Sequence, residues 1–228
     1  MQMKFAGSRG SLAVLGLLGL ALLLAASPSR AQLRLDITQG VRDAVPIAVV
    51  PFGGQVEGVA TDVAAVIAND LQMSGRFAPL ERRDLVARPT TGAEIRFEDW
   101  RLLKSDFIVV GRVEPDASGL TVGFELFNVR TGASLLAQRL PSTERGLRAT
   151  AHRIADLVFE RLTGVPGAFS TRIAYVTVNG RPPSQRFRLV VADADGFNPR
   201  TVMEATEPIM SPAWSPDGQS LAYVSFEG

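Results

Sequence analysis

Few side chains in this sequence could do chemistry, and they are thinly spread. There is no cysteine and one histidine, which removes disulfides, thiolate-bound zinc and thiol catalysis together. That histidine, His152, falls beside the apolar stripe of a predicted helix. With no cysteine and no second histidine, neither a Ser-His-Asp triad nor a common histidine-based zinc site is expected, and His152 is assigned a packing or surface role. Gly53-Gly54 follows an apolar run, as a phosphate loop would. Neither a Walker-type glycine-lysine pattern nor G-x-G-x-x-G continues from it, so a simple strand-to-helix turn is expected. Asp193-Ala194-Asp195-Gly196-Phe197-Asn198 has the look of an opening calcium loop. An EF-hand places its glycine sixth and closes the cage with a glutamate; here the glycine is fourth and no such Glu follows, so a hairpin turn is the better reading. Glu114 and Asp116 flank a turn, and Glu81-Arg82-Arg83-Asp84 neutralises itself, so both read as solvated. No catalytic, cofactor-binding or metal-binding residue is predicted, no cofactor is expected, and the chain reads as a binding protein rather than an enzyme.

The elements that must position these residues fall into two grammars. Pro46 to Phe52 is a continuous apolar run suited to a strand buried on both faces. Val59, Val63, Val66, Ile67 and Leu71 then recur at helical spacing, with Ser74-Gly75 as the stop. Phe77 to Leu80 returns to strand, and Phe97, Trp100 and Leu103 predict a short helix anchored by Trp100. Strands follow over Phe107 to Val113, through Val122, Phe124 and Leu126, and over Ser134 to Leu140. Ser142 is placed as the cap of a helix facing inward through Leu147, Ala151, Ile154, Val158 and Leu162, ended by Gly164 and Pro166. The prediction is an α/β N-terminal domain over 42–163, with three helices on a mixed sheet. Gly164-Val165-Pro166-Gly167 opens a linker over 164–169. Beyond it, 170–228 reads as all-β: strands from Thr171, Arg186, Arg200 and Leu221, and a tight turn at Ser215-Pro216-Asp217-Gly218. That is about one four-stranded propeller blade and the start of a second, in a chain expected to be truncated within the propeller.

The amino terminus carries an export signal. Lys4 and Arg9 precede an uncharged apolar run from Ser11 to Ala26, and Ser29-Arg30-Ala31 supplies small residues for cleavage after Ala31. The run spans roughly 24 Å as a helix, short of a bilayer core. Residues 1–31 hold Lys4, Arg9 and Arg30 and no acid, so without them 21 basic residues face 23 acidic ones. The net charge moves from +1 to −2, which leaves no support for a nucleic-acid surface. Next, at 32–41, Leu33, Leu35 and Ile37 alternate with Arg34, Asp36 and Thr38. That is either a first edge strand or an extended arm that pairs with a partner.

With these residues assembled, the chain resembles the TolB family along essentially its whole length after residue 31. The resemblance rests on Asp36 to Gly40 with Pro46 to Phe52, on Leu162 to Val176, on Asp193 to Asn198, and on Glu207 to Gly218 with its Trp214-Ser215-Pro216-Asp217-Gly218 motif. It implies an N-terminal α/β domain before a six-bladed propeller, in a non-catalytic periplasmic adaptor of the Tol-Pal system. Such an adaptor serves outer-membrane integrity and cell division. It also implies that the arm, through Leu33, Arg34, Leu35, Asp36, Ile37 and Thr38, meets a TolA-like inner-membrane protein by strand addition. The Pal lipoprotein would meet the propeller. No nucleic acid is implied, and the contact with membranes is peripheral. The Trp-Ser-Pro-Asp-Gly motif also occurs in propeller-type serine hydrolases, so the N-terminal part of such an enzyme, cut before its catalytic domain, is the alternative. A third reading is an envelope-assembly module with a similar buried first strand and no propeller.

Overall fold

The computed structural model describes residues 44–54, 61–117 and 119–227. The predicted signal at 1–31 and arm at 32–41 lie outside the described residues. β1 (Val45–Val49) is central because its side chains are apolar on both faces: Ile47 and Val49 enter one core, Ala48 and Val50 the other. β2 (Phe77–Pro79) and β3 (Phe107–Asp116) flank it in parallel. β4 (Gly119–Asn128) and β5 (Ser134–Ser142) continue antiparallel, giving a mixed sheet in the order β2-β1-β3-β4-β5.

Two long helices cover one face and a short one the other. α1 (Val63–Met73) starts at Asp62, whose carboxylate accepts from the Ala65 amide at 3.0 Å, and it buries Val63, Val66, Ile67 and Leu71. α2 (Phe97–Leu102) lies on the opposite face, anchored by the fully buried Trp100. α3 (Leu147–Thr163) packs beside α1 through Leu147, Ala151, Ile154, Ala155 and Val158. Gly164 ends it at φ 74° and donates to the Glu160 carbonyl, a left-handed cap that a side chain would strain. Ser142 does not cap this helix. It closes β5, its hydroxyl 2.8 Å from that of Thr150; α3 begins after Gly146, whose amide donates to the Thr143 hydroxyl. The β4–β5 ladder holds Ser142 opposite Leu120, so backbone pairing prevailed over the local capping preference.

The remaining strands form two separate sheets. β6 (Arg172–Asn179), β7 (Arg186–Asp193) and β8 (Arg200–Ala205) make one antiparallel sheet. β9 (Ile209–Trp214) and β10 (Leu221–Ser225) make a hairpin of their own, where the end of one four-stranded unit and the start of a second were expected. Ile209 drops into a small core with Leu189 and Ala205, so the chain folds over the sheet rather than along its edge. The described residues from Ala44 onward belong to one compact unit. None of their helices is long and apolar enough to cross a membrane.

One close approach in the main sheet yields a prediction. A Cβ at Gly111 would stand 2.4 Å from the Phe52 ring and 2.5 Å from the Gly123 carbonyl. Gly111→Ala is therefore expected to cost about 1–3 kcal/mol in urea unfolding, because a backbone oxygen cannot step aside as a side chain can. A loss below 0.5 kcal/mol would show that the strands spread freely.

Candidate functional site at the α3–blade junction

The densest polar chemistry among the described residues lies where α3 meets the end of β7. Asp70 on α1 and His152 on α3 are both buried, and the His152 Nδ1 lies 2.7 Å from the Asp70 carboxylate. One turn earlier on α3, Arg148 pairs with Asp195 in the β7–β8 turn and reaches Asp193 at 3.6 Å. Its guanidinium also stacks 3.9 Å from the centre of the Phe197 ring. One turn later, the buried Asp156 accepts from the amides of Phe169 at 2.7 Å and Ser170 at 3.2 Å. One face of α3 thus grips the segment after Gly164 at two points and holds the His152–Asp70 pair between them. Beside the pair lies a cavity of about 210 Å³, lined by Ala149, His152, Phe169, Ser170, Arg172 and Asp193 among others.

The electrostatics follow from this crowding. Burial pushes the Asp70 carboxyl up, and Asp195 pushes it further, against the pull of His152. Burial depresses the His152 imidazole, but its hydrogen bond to Asp70 and the charges of Asp70 and Asp195 outweigh that and raise it overall. Both directions say that the cluster holds a proton more tightly than its separated groups would. The Asp70 and Asp195 oxygens and a ring nitrogen of His152 lie within 4.8 Å of one another. They form an ion-paired cluster and not a cation cage, because Arg148 already neutralises Asp195 and Asp70 already engages the ring. The His152 Nε2 and Arg148 Nε are buried without a hydrogen-bond partner.

His152 therefore does more than the packing or surface role expected of it: it is buried and paired. Asp70, Arg148 and Asp156 were not singled out at all. The available signal was a polar residue on the apolar arc of each long helix, Asp70 between Ile67 and Leu71 and His152 between Ala151 and Ile154. The calcium-like segment is a closed turn, with the Gly196 amide donating to the Asp193 carbonyl at 2.8 Å and the Phe197 amide to Asp195 at 3.0 Å. Gly53 bridges to Arg112 on β3, and its amide donates to the Gly111 carbonyl rather than facing a ligand. In the Trp214 motif, Ser215 and Asp217 close the turn at 2.5 Å, which with the Gln219 amide holds the Asp217 carboxyl below its ordinary range. Arg172 stacks 4.9 Å from the centre of the Trp214 ring and donates to the Gly218 carbonyl at 2.8 Å. Leu33, Arg34, Leu35, Asp36, Ile37 and Thr38 lie outside the described residues.

An α/β module clamped through one helix onto antiparallel propeller strands defines the class: a two-part β-propeller protein. Family models agree on both parts. The TolB amino-terminal domain matches residues 33–135, and the TolB β-propeller domain matches residues 159–228. The chain belongs to the TolB family. It is 47% identical to the Tol-Pal system protein TolB of Xylella fastidiosa over 214 residues, 92% of this chain and 49% of that protein. Over 206 residues it is 45% identical to the same-named protein of Methylococcus capsulatus, 90% of this chain and 48% of that one. The crystal structure of TolB from Acinetobacter baumannii superposes with a TM-score of 0.71 at 37% identity, covering 81% of this chain and 45% of that chain. The chain spans about half the length of the curated relatives it matches.

Proposed function

We propose that the chain serves the Tol-Pal system as a non-catalytic periplasmic adaptor. It is exported by residues 1–31, cleaved after Ala31, and joined to a TolA-like inner-membrane protein through residues 32–41. The observation that carries this is its similarity, across nearly its whole length, to relatives named for that system. The arm is assigned the partner because Leu33, Leu35 and Ile37 form one apolar edge suited to strand addition. The described core is complete without it: both faces of β1 are covered by residues from position 45 onward. The propeller strands would be the side that meets Pal.

The test compares two versions of the chain, one starting at residue 32 and one at 42, against the periplasmic domain of the TolA-like protein by calorimetry. The shorter version is expected to bind at least 100-fold more weakly while its helical circular dichroism stays unchanged. Equal affinity, or a loss of helicity in step with the loss of binding, would refute the arm's assignment.

A further inference from the structure

We propose that His152 is a proton-operated latch: charged, it holds the β7–β8 turn against α1 and α3, and neutral, it lets that turn go. Charge counting at the junction carries the inference. α1 contributes Asp70, and the end of β7 with its turn contributes Asp193 and Asp195. Against these three carboxylates stand Arg148 and, when protonated, His152. The side chains of Asp70 and Asp195 are 2% and 6% exposed, so little water screens them from each other. Arg148 is committed to the turn through Asp195, Asp193 and the Phe197 ring. The imidazole meets Asp70 directly while lying within 4.8 Å of the Asp195 carboxylate. Losing its charge leaves Arg148 alone against carboxylates from both sides of the junction, with a neutral ring between Asp70 and Asp195.

The surrounding charges leave this arithmetic intact. From β6, Arg172 lines the neighbouring cavity but stacks on Trp214 and donates to Gly218. From α3 itself, Asp156 turns both oxygens to the Phe169 and Ser170 amides. With no cysteine and a single histidine in the chain, no other side chain ordinarily titrates between pH 5 and 8. The sign follows from the upward direction for the ring. A histidine whose folded value lies above its free value of about 6.5 contributes stabilisation that is complete below that pH. It is lost as pH climbs through the folded value. The latch is thus closed in mild acid and opens in mild alkali.

Because the chain has one histidine, its imidazole resonances in an NMR pH titration are assigned without variants. They are expected to titrate above about 6.5. In parallel, hydrogen exchange follows the amides of Asp193, Ala194 and Gly196, which donate to Phe197, Thr171 and Asp193 carbonyls. After correction for intrinsic rates, their protection is expected to fall on the order of tenfold between pH 6 and 8.5, while β3 and β4 amides hold. In His152→Gln the profile should be flat at the lower protection. Titration at or below 6.5, protection that ignores pH, or a parallel fall in β3 and β4 would each overturn the latch, and wild-type protein alone supplies all three readings. A His152→Gln variant that folds and keeps the wild-type pH dependence would do the same.

Discussion

Trp100→Ala is expected to lower the unfolding free energy by about 3–5 kcal/mol in urea titration, the range for emptying a large aromatic site in a core. Trp100 is fully buried and sits at the centre of the second core, among Ala48, Val50, Ile95, Ile108, Val110, Phe127 and Val129. Its helix cannot compensate. α2 has six residues and no side-chain cap at its start, so it owes its place to tertiary packing rather than to intrinsic helicity. The segment's other ties are the edge contact of Phe97 with Phe127 at 5.9 Å, packing of Leu103 on the same core, the bond from Arg101 to the Val129 carbonyl at 3.1 Å, and that from the Ser105 amide to Trp100's own carbonyl at 3.2 Å, among others. Trp100→Phe, which fills much of the space, should cost about half as much. An Ala variant within 1.5 kcal/mol of wild type would mean that α2 collapses inward to close the cavity, and that the second core is softer than its burial implies.

Asp156→Ala is the second large effect, expected to cost about 3 kcal/mol and to expose the linker and the two residues that follow it, 164–171 in all, to protease. The side chain is buried, and its two oxygens take the amides of Phe169 and Ser170. Hydrogen bonds to a charged acceptor contribute about 1.5–3 kcal/mol each, and removing the acceptor leaves both donors unpaired. The contact also sets a path. A Cβ at Gly167 would stand 2.4 Å from the Asp156 carboxylate, so the chain passes close against α3 at that point. Phe169, placed by the same bond, stacks edge-on against Phe159 at 5.6 Å. Asp156→Asn keeps one acceptor and is expected to lose about half as much. Cleavage at 164–171 no faster in the Ala variant than in wild type, under matched native conditions, would show that the linker is held by Phe169 packing alone.

Much of the α/β half was legible residue by residue. The run Pro46 to Phe52 marked the central strand because only a strand covered on both faces tolerates apolar residues at every position. The stripes at 63–71 and 147–158 marked the two long helices, and Trp100 marked the short one. Tight turns and stops were also local facts: Gly164 ends α3, and Ser215 to Gly218 turns β9 into β10. One error has a clear cause. Ser142 looked like a cap and sits in a strand. Its ladder partner Leu120, distant in sequence, outweighed a preference that neighbouring residues express.

The same reason separates what the amino-acid order determined by itself from what only the tertiary structure decided. Periodicity, glycine stops and the Trp214 motif carry the class of each half, because each depends on residues a few positions apart. The junction does not. Asp70 and His152 are 82 positions apart, and Arg148 and Asp195 are 47. Seen singly, each is an unremarkable charged residue on a helix or in a turn. Their chemistry exists only once α1, α3 and the β7–β8 turn exclude water from the space between them, because desolvation is what turns a distant carboxylate and a lone imidazole into a coupled pair.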